Sequence, residues 1–234
     1  MTSPMIKQKA LFCWSGGKDS AYCLHKVLTE AHFEVSYLLT TMNNDFKGIS
    51  MHGVSEELLD RQAESTGIPL IKVRVDGGTN REYEEQMGKA FLKAKSEGIN
   101  HVIFGDIFLE DLRIYRENQL AALEMEAVFP LWEMDTKVLV SEFIALGFKT
   151  VLCCTNDKYL GIEWAGRLID QSFINELPPH VDPCGENGEY HSFCYDGPVF
   201  KKKLEIKTGQ RVLKELTKST ITGRYWFCDL TAKN

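Results

Sequence analysis

The sequence contains no long apolar run and no excess of basic residues. No stretch approaches the roughly 20 apolar residues that a membrane-spanning helix needs. The mixed segment Met1–Lys9 is not followed by the apolar core of a signal peptide. The net charge of −6 does not favour duplex nucleic acid as a partner. We therefore expect a cytoplasmic protein that does not enter membranes and for which nucleic acid is a disfavoured partner.

The cysteine pattern matches neither a disulfide-bonded framework nor a standard metal site. Seven cysteines are an odd number, and in a chain without a secretory signal we expect them to be reduced thiols. One set of residues has the types that bind zinc, but its spacing is not a standard one, so zinc is left open as the weaker alternative. That set is His180, Cys184, His191 and Cys194.

What the first half of the chain does contain is a regular alternation of short apolar segments and amphipathic helices. This alternation predicts βαβ units and a Rossmann-like, doubly wound parallel sheet. Ligands of such α/β sheets bind beyond the carboxyl ends of the strands, where the strand order reverses, and we expect the first and fourth strands to be neighbours there. Strands are predicted at 9–14, 33–41, 68–75, 101–104 and 127–130, and helices at 20–29, 53–66, 80–96 and 111–125.

The second half has a different texture, which predicts a smaller C-terminal α+β domain. We place a soft boundary that divides the chain into a first domain, 1–130, and a second domain, 131–234. Helices are predicted at 138–146 and 162–173, and strands at 150–155, 190–195, 199–200, 203–207 and 225–230.

The first predicted strand runs into a polar motif that opens the first helix. Two adjacent glycines let the backbone turn sharply and let a ligand approach without a Cβ in the way. The free amides of a helix start, two hydroxyls and a lysine suit a polyphosphate, and the aspartate fits if a Mg²⁺ bridges it to the phosphates. A capped helix after a tight turn is the structural alternative. The candidates are Ser15, Gly16, Gly17, Lys18, Asp19 and Ser20.

A second polar cluster lies around two glycines in the C-terminal half. Its carboxylates and imidazole could serve as a general base or could bind an ammonium group. The alternative is a polar hairpin loop, since polar turn clusters are common. The candidates are Gly185, Glu186, Gly188, Glu189, Tyr190, His191 and Ser192.

Two shorter segments complete the set of candidates. Gly105 and Asp106 end the predicted fourth strand, where residues line the ligand crevice of an α/β sheet. Met51 and His52 follow the second strand. A lone histidine is more often structural, although imidazole also fits several functional roles.

The motif Ser15–Ser20 resembles the SGGxDS pyrophosphate loop of the PP-loop ATP pyrophosphatases. Within that group, the chain resembles the diphthine–ammonia ligase family over nearly its whole length. The longest shared block, Asp182–Ser192, departs from the usual pattern at Asn187, which replaces a glycine, and at Ser192, which replaces a threonine. The other shared segments are Met51-His52-Gly53, Gly105-Asp106-Ile107, Pro130-Leu131-Trp132 and Asp196-Gly197-Pro198.

The resemblance implies an ATP-dependent ligase with Mg²⁺ as its metal. Members of the family adenylate a carboxylate, release pyrophosphate and pass the acyl group to ammonia. The first domain would then bind ATP, and the segment 185–192 of the second would bind the acceptor. The residues to which we assign catalytic roles are Lys18, Asp19, Glu186, Glu189 and His191, with Asp19 also the Mg²⁺ ligand.

The resemblance also implies the reactants. In eukaryotes and archaea the acceptor is diphthine, a modified histidine on translation elongation factor two, and in a bacterial relative we expect another carboxylate. The chain has no room for a glutaminase domain, so we expect free ammonium to supply the nitrogen. A homodimer is left open as the assembly.

Two functions of other classes remain as alternatives. A nucleotide-binding sensor module could bind ATP without turnover, although it would not need a metal-binding carboxylate directly after Lys18. A PP-loop tRNA-modifying enzyme could use the cysteines. Such enzymes usually carry an RNA-binding domain and a basic surface, neither of which is evident in the sequence.

Overall fold

The computed structural model describes residues 7–43, 53–75, 80–218 and 221–233. Met51 and His52, two of the predicted site residues, lie outside the described residues. Within the described ranges, no helix is both long enough and apolar enough to cross a lipid bilayer. All seven cysteines lie in these ranges and are free thiols, as expected.

A five-stranded parallel sheet, ordered β3-β2-β1-β4-β5, forms the first half of the molecule. This confirms the predicted doubly wound fold. The strand order reverses between β1 and β4, so the switch point lies where expected. The strands are β1 Gln8–Cys13, β2 Phe33–Asn43, β3 Leu70–Val75, β4 His101–Ile103 and β5 Glu126–Val128. The helices are α1 Lys18–Glu30, α2 Glu56–Thr66, α3 Asn80–Ser96 and α4 Glu110–Ala121.

Helices cover both faces of this sheet because the central strand is apolar on both sides. Successive side chains of a strand point to opposite faces. In β1, Phe12 packs in one apolar cluster with Leu24 of α1, while Leu11 packs in another with Phe91 of α3. Phe12, Leu11, Leu24 and Phe91 are all inaccessible to solvent. The carboxyl end of β1 is therefore held between two packed layers.

A four-stranded antiparallel sheet, ordered β7-β6-β9-β8, forms the second half. The predicted α+β character of this half is confirmed, and helix α5 precedes the sheet. Its elements are α5 Thr136–Ala145, β6 Lys149–Asn156, α6 Gln171–Glu176, β7 Tyr190–Asp196, β8 Ile206–Lys218 and β9 Ile221–Ala232.

The predicted helix at 162–173 is wrong, because only α6 is helical. Gly166 has φ +81°, which interrupts any helix there. Its amide donates to the carbonyl of Leu152, and the amide of Leu152 donates to the carbonyl of Arg167. Residues 162–166 therefore form a turn, and residues 166–169 lie alongside β6. The separate strand predicted at 199–200 is also wrong, since Val199 lies in a turn and Phe200 in the irregular chain after it.

The two sheets share one hydrophobic core. Phe12 and Leu24 of the first half belong to the same buried cluster as Leu152 and Phe193 of the second. Backbone hydrogen bonds also join the halves, since the amide of Cys194 donates to the carbonyl of Gly16. The loop after β1 therefore has its position set by both halves of the molecule.

Candidate functional site at the carboxyl end of β1

The segment Ser15–Ser20 joins β1 to α1, and its turn rests on two glycines. Gly16 has φ +77°, a left-handed conformation that L side chains rarely adopt. Gly17 is the N-cap residue of α1 and contributes no side-chain cap, so the alternative of a helix capped by Ser or Asp is not what the structure shows. The loop instead braces itself: the hydroxyl of Ser15 accepts from the amide of Gly17, and that of Ser20 from the amide of Ser15.

Lys18 and Asp19 form an ion pair at the start of α1. Lys18 is 1% exposed, and its Nζ lies 2.7 Å from both carboxylate oxygens of Asp19, which is 23% exposed. Burial alone would lower the pKa of Lys18, but the surrounding negative charge, chiefly that of Asp19, and the hydrogen bond to Asp19 together outweigh burial and keep that pKa well above its ordinary value. The ammonium group also donates to the backbone carbonyl of Cys184.

The first residues of β7, together with the loop before it, lie directly against this motif. The hydroxyl of Ser192 accepts from the amide of Lys18 at 3.1 Å. A Cβ built on Gly17 would lie 3.1 Å from the backbone oxygen of Ser192, so the two segments approach closely because Gly17 has no side chain. The ring of Tyr190 lies under the Lys18 ammonium, 5.4 Å from its centroid. The two polar clusters predicted from sequence are thus brought together in one place.

The segment Ser15–Ser20 and the segment around β7 both line a cavity of about 210 Å³. Most of the site residues predicted from sequence line this cavity, but four of the described ones do not: Gly16, Ser20, Gly105 and Glu189. Gly16 and Ser20 instead hold the loop through hydrogen bonds with Cys194 and Ser15. Leu109, at the amino end of α4, also lines the cavity. The lining residues are Ser15, Gly17, Lys18, Asp19, Asp106, Leu109, Cys184, Gly185, Glu186, Gly188, Tyr190, His191 and Ser192.

Asp106 lines the cavity and is paired with Arg116 of α4, a residue that the sequence did not single out. The Nε of Arg116 lies 2.7 Å from a carboxylate oxygen of Asp106. Burial raises the pKa of Asp106, and the opposing charge of Arg116 limits the rise. Arg116 also packs over the ring of Phe104, 4.3 Å from its centroid. Asp106 is therefore held in a fixed orientation at the end of β4.

Glu189 organises the loop before β7. Its carboxylate is 2% exposed and accepts from the amides of Asp182 and Asn187 at 3.0 Å, and from the side-chain amide of Asn187 at 3.2 Å. Asp182 in turn accepts from the hydroxyl of Thr136 at 2.8 Å and from the amide of Cys184 at 2.9 Å. These two carboxylates set the shape of the loop that covers the cavity.

Glu186 and His191 face the cavity with altered acidity. Burial, helped by the charge of Asp19, raises the pKa of Glu186 from 4.5 to about 7. Glu186 accepts from the amide of Ile107 at 3.4 Å. Burial, helped by the nearby charge of Lys18, lowers the pKa of His191 to about 4, so its imidazole is neutral near neutral pH.

Gln62 of α2 also supports the site and, like Arg116, was not among the candidates predicted from sequence. Its buried amide donates to the carbonyl of Gly16 at 2.9 Å and accepts from Nε1 of Trp14 at 3.1 Å. A signal was present in the sequence, because Gln62 lies on the same helical stripe as Leu58, Leu59 and Ala63. A polar side chain on an apolar stripe needs buried partners.

Comparison with known proteins adds the family. Residues 8–121 match the model of the diphthamide synthase N-terminal domain, and residues 135–225 match the model of its C-terminal domain. The chain belongs to the diphthamide synthase family. The family resemblance inferred from the sequence motifs is thereby confirmed.

This diphthamide synthase family member is similar to named enzymes along most of its length. A diphthine–ammonia ligase from Danio rerio is 28% identical over 223 residues, covering 85% of this chain and 86% of that protein. The one from Rattus norvegicus is 28% identical over 224 residues, covering 85% and 83%. A U34-tRNA thiolase from Methanococcus maripaludis overlaps 62% of this chain at 18% identity with a TM-score of 0.35, which is too distant to support a conclusion.

The described residues of this family member hold no group of three or more His, Cys, Asp or Glu side chains placed to bind a metal ion. Of the four zinc candidates, Cys184 and His191 line the cavity, whereas His180 and Cys194 are not in its lining. The ring of His180 is tilted against that of Tyr159, with 6.4 Å between the centroids, and the thiol of Cys194 donates to the backbone carbonyl of Asp196. Mg²⁺ needs less, since it commonly takes one or two carboxylates together with substrate phosphates and water. Asp19, partly exposed beside the cavity, fits that smaller role.

Proposed function

We propose that the protein is a Mg-ATP-dependent carbon–nitrogen ligase that adenylates a carboxylate and amidates it with ammonia. The observation that carries this proposal is the buried Lys18, held between the β1–α1 loop and the loop before β7 beside a cavity at the switch point. The relatives named diphthine–ammonia ligase support the same reaction.

The reaction has two steps. A carboxylate oxygen of the acceptor attacks the α-phosphorus of ATP, the bond to the bridging oxygen breaks, and pyrophosphate leaves. The nitrogen of ammonia then attacks the acyl carbon, AMP leaves, and the nitrogen loses a proton to give the amide. The ammonium group of Lys18 would stabilise the negative charge that develops on the phosphates, joined by the backbone amides of Gly17 and Lys18 once phosphate oxygens replace the hydroxyls of Ser15 and Ser192 as their acceptors.

A bound Mg²⁺ would be held by Asp19 together with the nucleotide phosphates, and it would supply Lewis-acid neutralisation of phosphate charge. The pairing of Asp19 with Lys18 leaves carboxylate lone pairs for such a ligand, since an ionised carboxylate can accept about four contacts. Asp106, held by Arg116, would line the nucleotide side of the cavity.

Glu186 and His191 would handle the nitrogen nucleophile. Ammonium must lose a proton before its nitrogen can attack, and Glu186, with a pKa of about 7, is suited to accept it. The neutral imidazole of His191 would accept a hydrogen bond from ammonia without repelling ammonium. Tyr190 and the glycines Gly185 and Gly188 would shape the acceptor side of the cavity, and the closely packed loop would keep water from the acyl adenylate.

The acceptor follows from the relatives. We propose a diphthine side chain on a translation elongation factor, or another carboxylate if the host lacks diphthine. Residues 1–130 would bind the nucleotide and residues 131–234 the acceptor. Ser192, which accepts from the amide of Lys18, would lie where the two meet. A cytoplasmic location and a homodimer belong to the same proposal.

Identification of the nucleotide product tests this function. The protein is incubated with Mg-ATP, ammonium and a host extract, and AMP and pyrophosphate are measured. We expect both products from the wild type and their loss in Asp19→Asn, whereas Glu30→Gln, which changes an exposed acid of the same helix, should behave as wild type. Product ADP would contradict α-phosphorus chemistry.

Two further outcomes would favour the other functions. ATP that stays bound and intact would favour the sensor module. Tight tRNA binding with a steep dependence on salt concentration would favour a tRNA-modifying enzyme.

A further inference from the structure

The side chain of Gln62 is fully buried although it carries a polar amide. It lies on α2 among Leu58, Leu59 and Ala63, which are core residues. A side chain that only filled space there would more cheaply be leucine or methionine, because burying an amide costs free energy unless its hydrogen bonds are made. The amide is therefore present for its partners.

Those partners lie in two segments of the chain, the residues that follow β1 and the strand β7. Oε1 of Gln62 accepts from Nε1 of Trp14, at the end of β1, at 3.1 Å. Nε2 donates to the carbonyl of Gly16 at 2.9 Å and to the carbonyl of Cys194 on β7 at 2.5 Å. Both hydrogens of the amide nitrogen are used, so a single side chain joins α2 to the loop after β1 and to β7.

The bond to Gly16 determines which way the next amide points. The carbonyl of Gly16 also accepts from the amide of Cys194 at 2.9 Å, so its direction is determined twice. In a trans peptide the carbonyl and the following N–H point in opposite directions. The amide of Gly17 therefore points away from Gln62, towards the hydroxyl of Ser15, and both Gly17 and Ser15 line the cavity.

We propose that Gln62 is a positioning residue for the pyrophosphate group of ATP. It acts through the Gly16 peptide, which it holds so that the amide of Gly17 points towards Ser15 and the cavity that both residues line, and it couples that loop to β7, the strand that carries His191 and Ser192. This inference rests on the proposed function, because it takes the loop to be the nucleotide loop.

Gln62→Met and Ser65→Ala form a matched pair that tests the inference. Methionine keeps the length of the side chain but removes the amide. Ser65 is another buried polar residue of α2, at 2% exposure, and its hydroxyl donates to the carbonyl of Lys202 at 2.5 Å, away from the loop. Both variants should unfold at lower temperature than wild type.

Only Gln62→Met should change nucleotide binding. We expect its KM for Mg-ATP, and the Kd of inorganic pyrophosphate measured by calorimetry, to rise about tenfold or more, with a smaller change in kcat. Gln62→Glu keeps the shape and the acceptor for Trp14 but loses the amide donor, so it should show the same rise and replaces Gln62→Met if that variant does not fold.

The outcomes separate the inference from the proposed function. Equal KM and Kd values in folded Gln62→Met, Gln62→Glu and Ser65→Ala would overturn the inference and leave Gln62 as a core residue. Binding of ATP and pyrophosphate by wild type without formation of AMP would overturn the proposed function, while the Kd values would still decide the role of Gln62. Failure of wild type to bind either compound would overturn both.

Discussion

At the scale of single residues, Lys18 holds a positive charge out of water. Removing a charged group from water is costly, and the cost is offset only where opposite charge and hydrogen bonds replace the hydration. Here the carboxylate of Asp19 and the carbonyl of Cys184 replace it. The charge is therefore pre-oriented at the cavity before any ligand binds, and it needs no reorganisation during the reaction.

Replacement of Lys18 should separate catalysis from folding. Lys18→Met removes the charge and leaves Asp19 without its partner, so we expect kcat for pyrophosphate release to fall about 100-fold to 1000-fold. Lys26→Met, which changes a lysine of the same helix that is 34% exposed, is the control and should retain activity. Steady-state kinetics on both folded variants measures this, and similar rates for the two would contradict it.

Glu186 should make the stability of the ligand-free protein depend on pH. Because its pKa is raised from 4.5 to about 7, the folded state favours the protonated form. Its contribution is fully present below the unfolded pKa and is lost as the pH rises through about 7. Glu186→Gln cannot ionise, so it should match wild type near pH 4 and be more stable near pH 8 by up to about 3 kcal/mol.

Denaturant unfolding of metal-free wild type and Glu186→Gln across this pH range measures the difference. A difference that stayed constant with pH would show that Glu186 ionises normally in the folded protein.

At the scale of elements, the loop before β7 is held by carboxylates as well as by the apolar core, to which it contributes Val181 and Cys184. Gly185 has φ +71°, and a Cβ there would lie 2.9 Å from the ring of Tyr190. Glu189 and Asp182 gather the amides of this turn. A loop with these restraints keeps Glu186 and His191 facing the cavity.

Glu189→Gln should weaken this loop although the two side chains have the same shape. One acceptor oxygen becomes an NH₂ group that meets backbone donors, and we expect a loss of about 1–3 kcal/mol in the free energy of unfolding. Urea unfolding measures it. Glu176→Gln is the matched control and should change stability little, because the side chain of Glu176, which pairs with Arg167, is 61% exposed. Equal effects would contradict the structural role of Glu189.

At the scale of the whole molecule, the parallel and antiparallel sheets are joined by one core and by hydrogen bonds across the site. The domain boundary after residue 130 stays a prediction. Because Phe12 and Phe193 belong to one buried cluster, we expect the two halves to unfold cooperatively. Scanning calorimetry should show a single transition in which the calorimetric and van't Hoff enthalpies agree. Two resolved transitions would show that the halves unfold independently.

The fold was largely predictable where the local pattern agrees with the tertiary structure. The helix predicted at 80–96 has those bounds, because an amphipathic stripe and a following Gly98 mark it. The helix predicted at 162–173 failed because hydrogen bonds to β6 outweigh local propensity. Of the strand predicted at 203–207, only 206–207 belong to β8, whereas the strand predicted at 225–230 lies within the longer β9, and β8 and β9 pair with each other.

The candidate site was partly predictable in the same sense. Ser15–Ser20 was predicted as a candidate site because two glycines that permit a sharp turn, then a lysine and an aspartate, follow an apolar strand directly. Gln62 and Arg116 were missed because their importance comes from partners far along the chain, the carbonyl of Gly16 and the carboxylate of Asp106. Glu189 was expected to be catalytic, and the structure places its carboxylate within the loop and outside the cavity lining.

Local sequence was sufficient for the alternation of strands and helices, the turn at Gly16 and Gly17, and the chemical types available for a site. Apolar periodicity and backbone conformation depend on near neighbours. Long-range packing was needed to bring Lys18 against Cys184 and Ser192, to pair Asp106 with Arg116, and to bury Lys18 beside a cavity. Those contacts join residues that are distant in the chain, and only the shared core of the two sheets brings them within hydrogen-bonding distance.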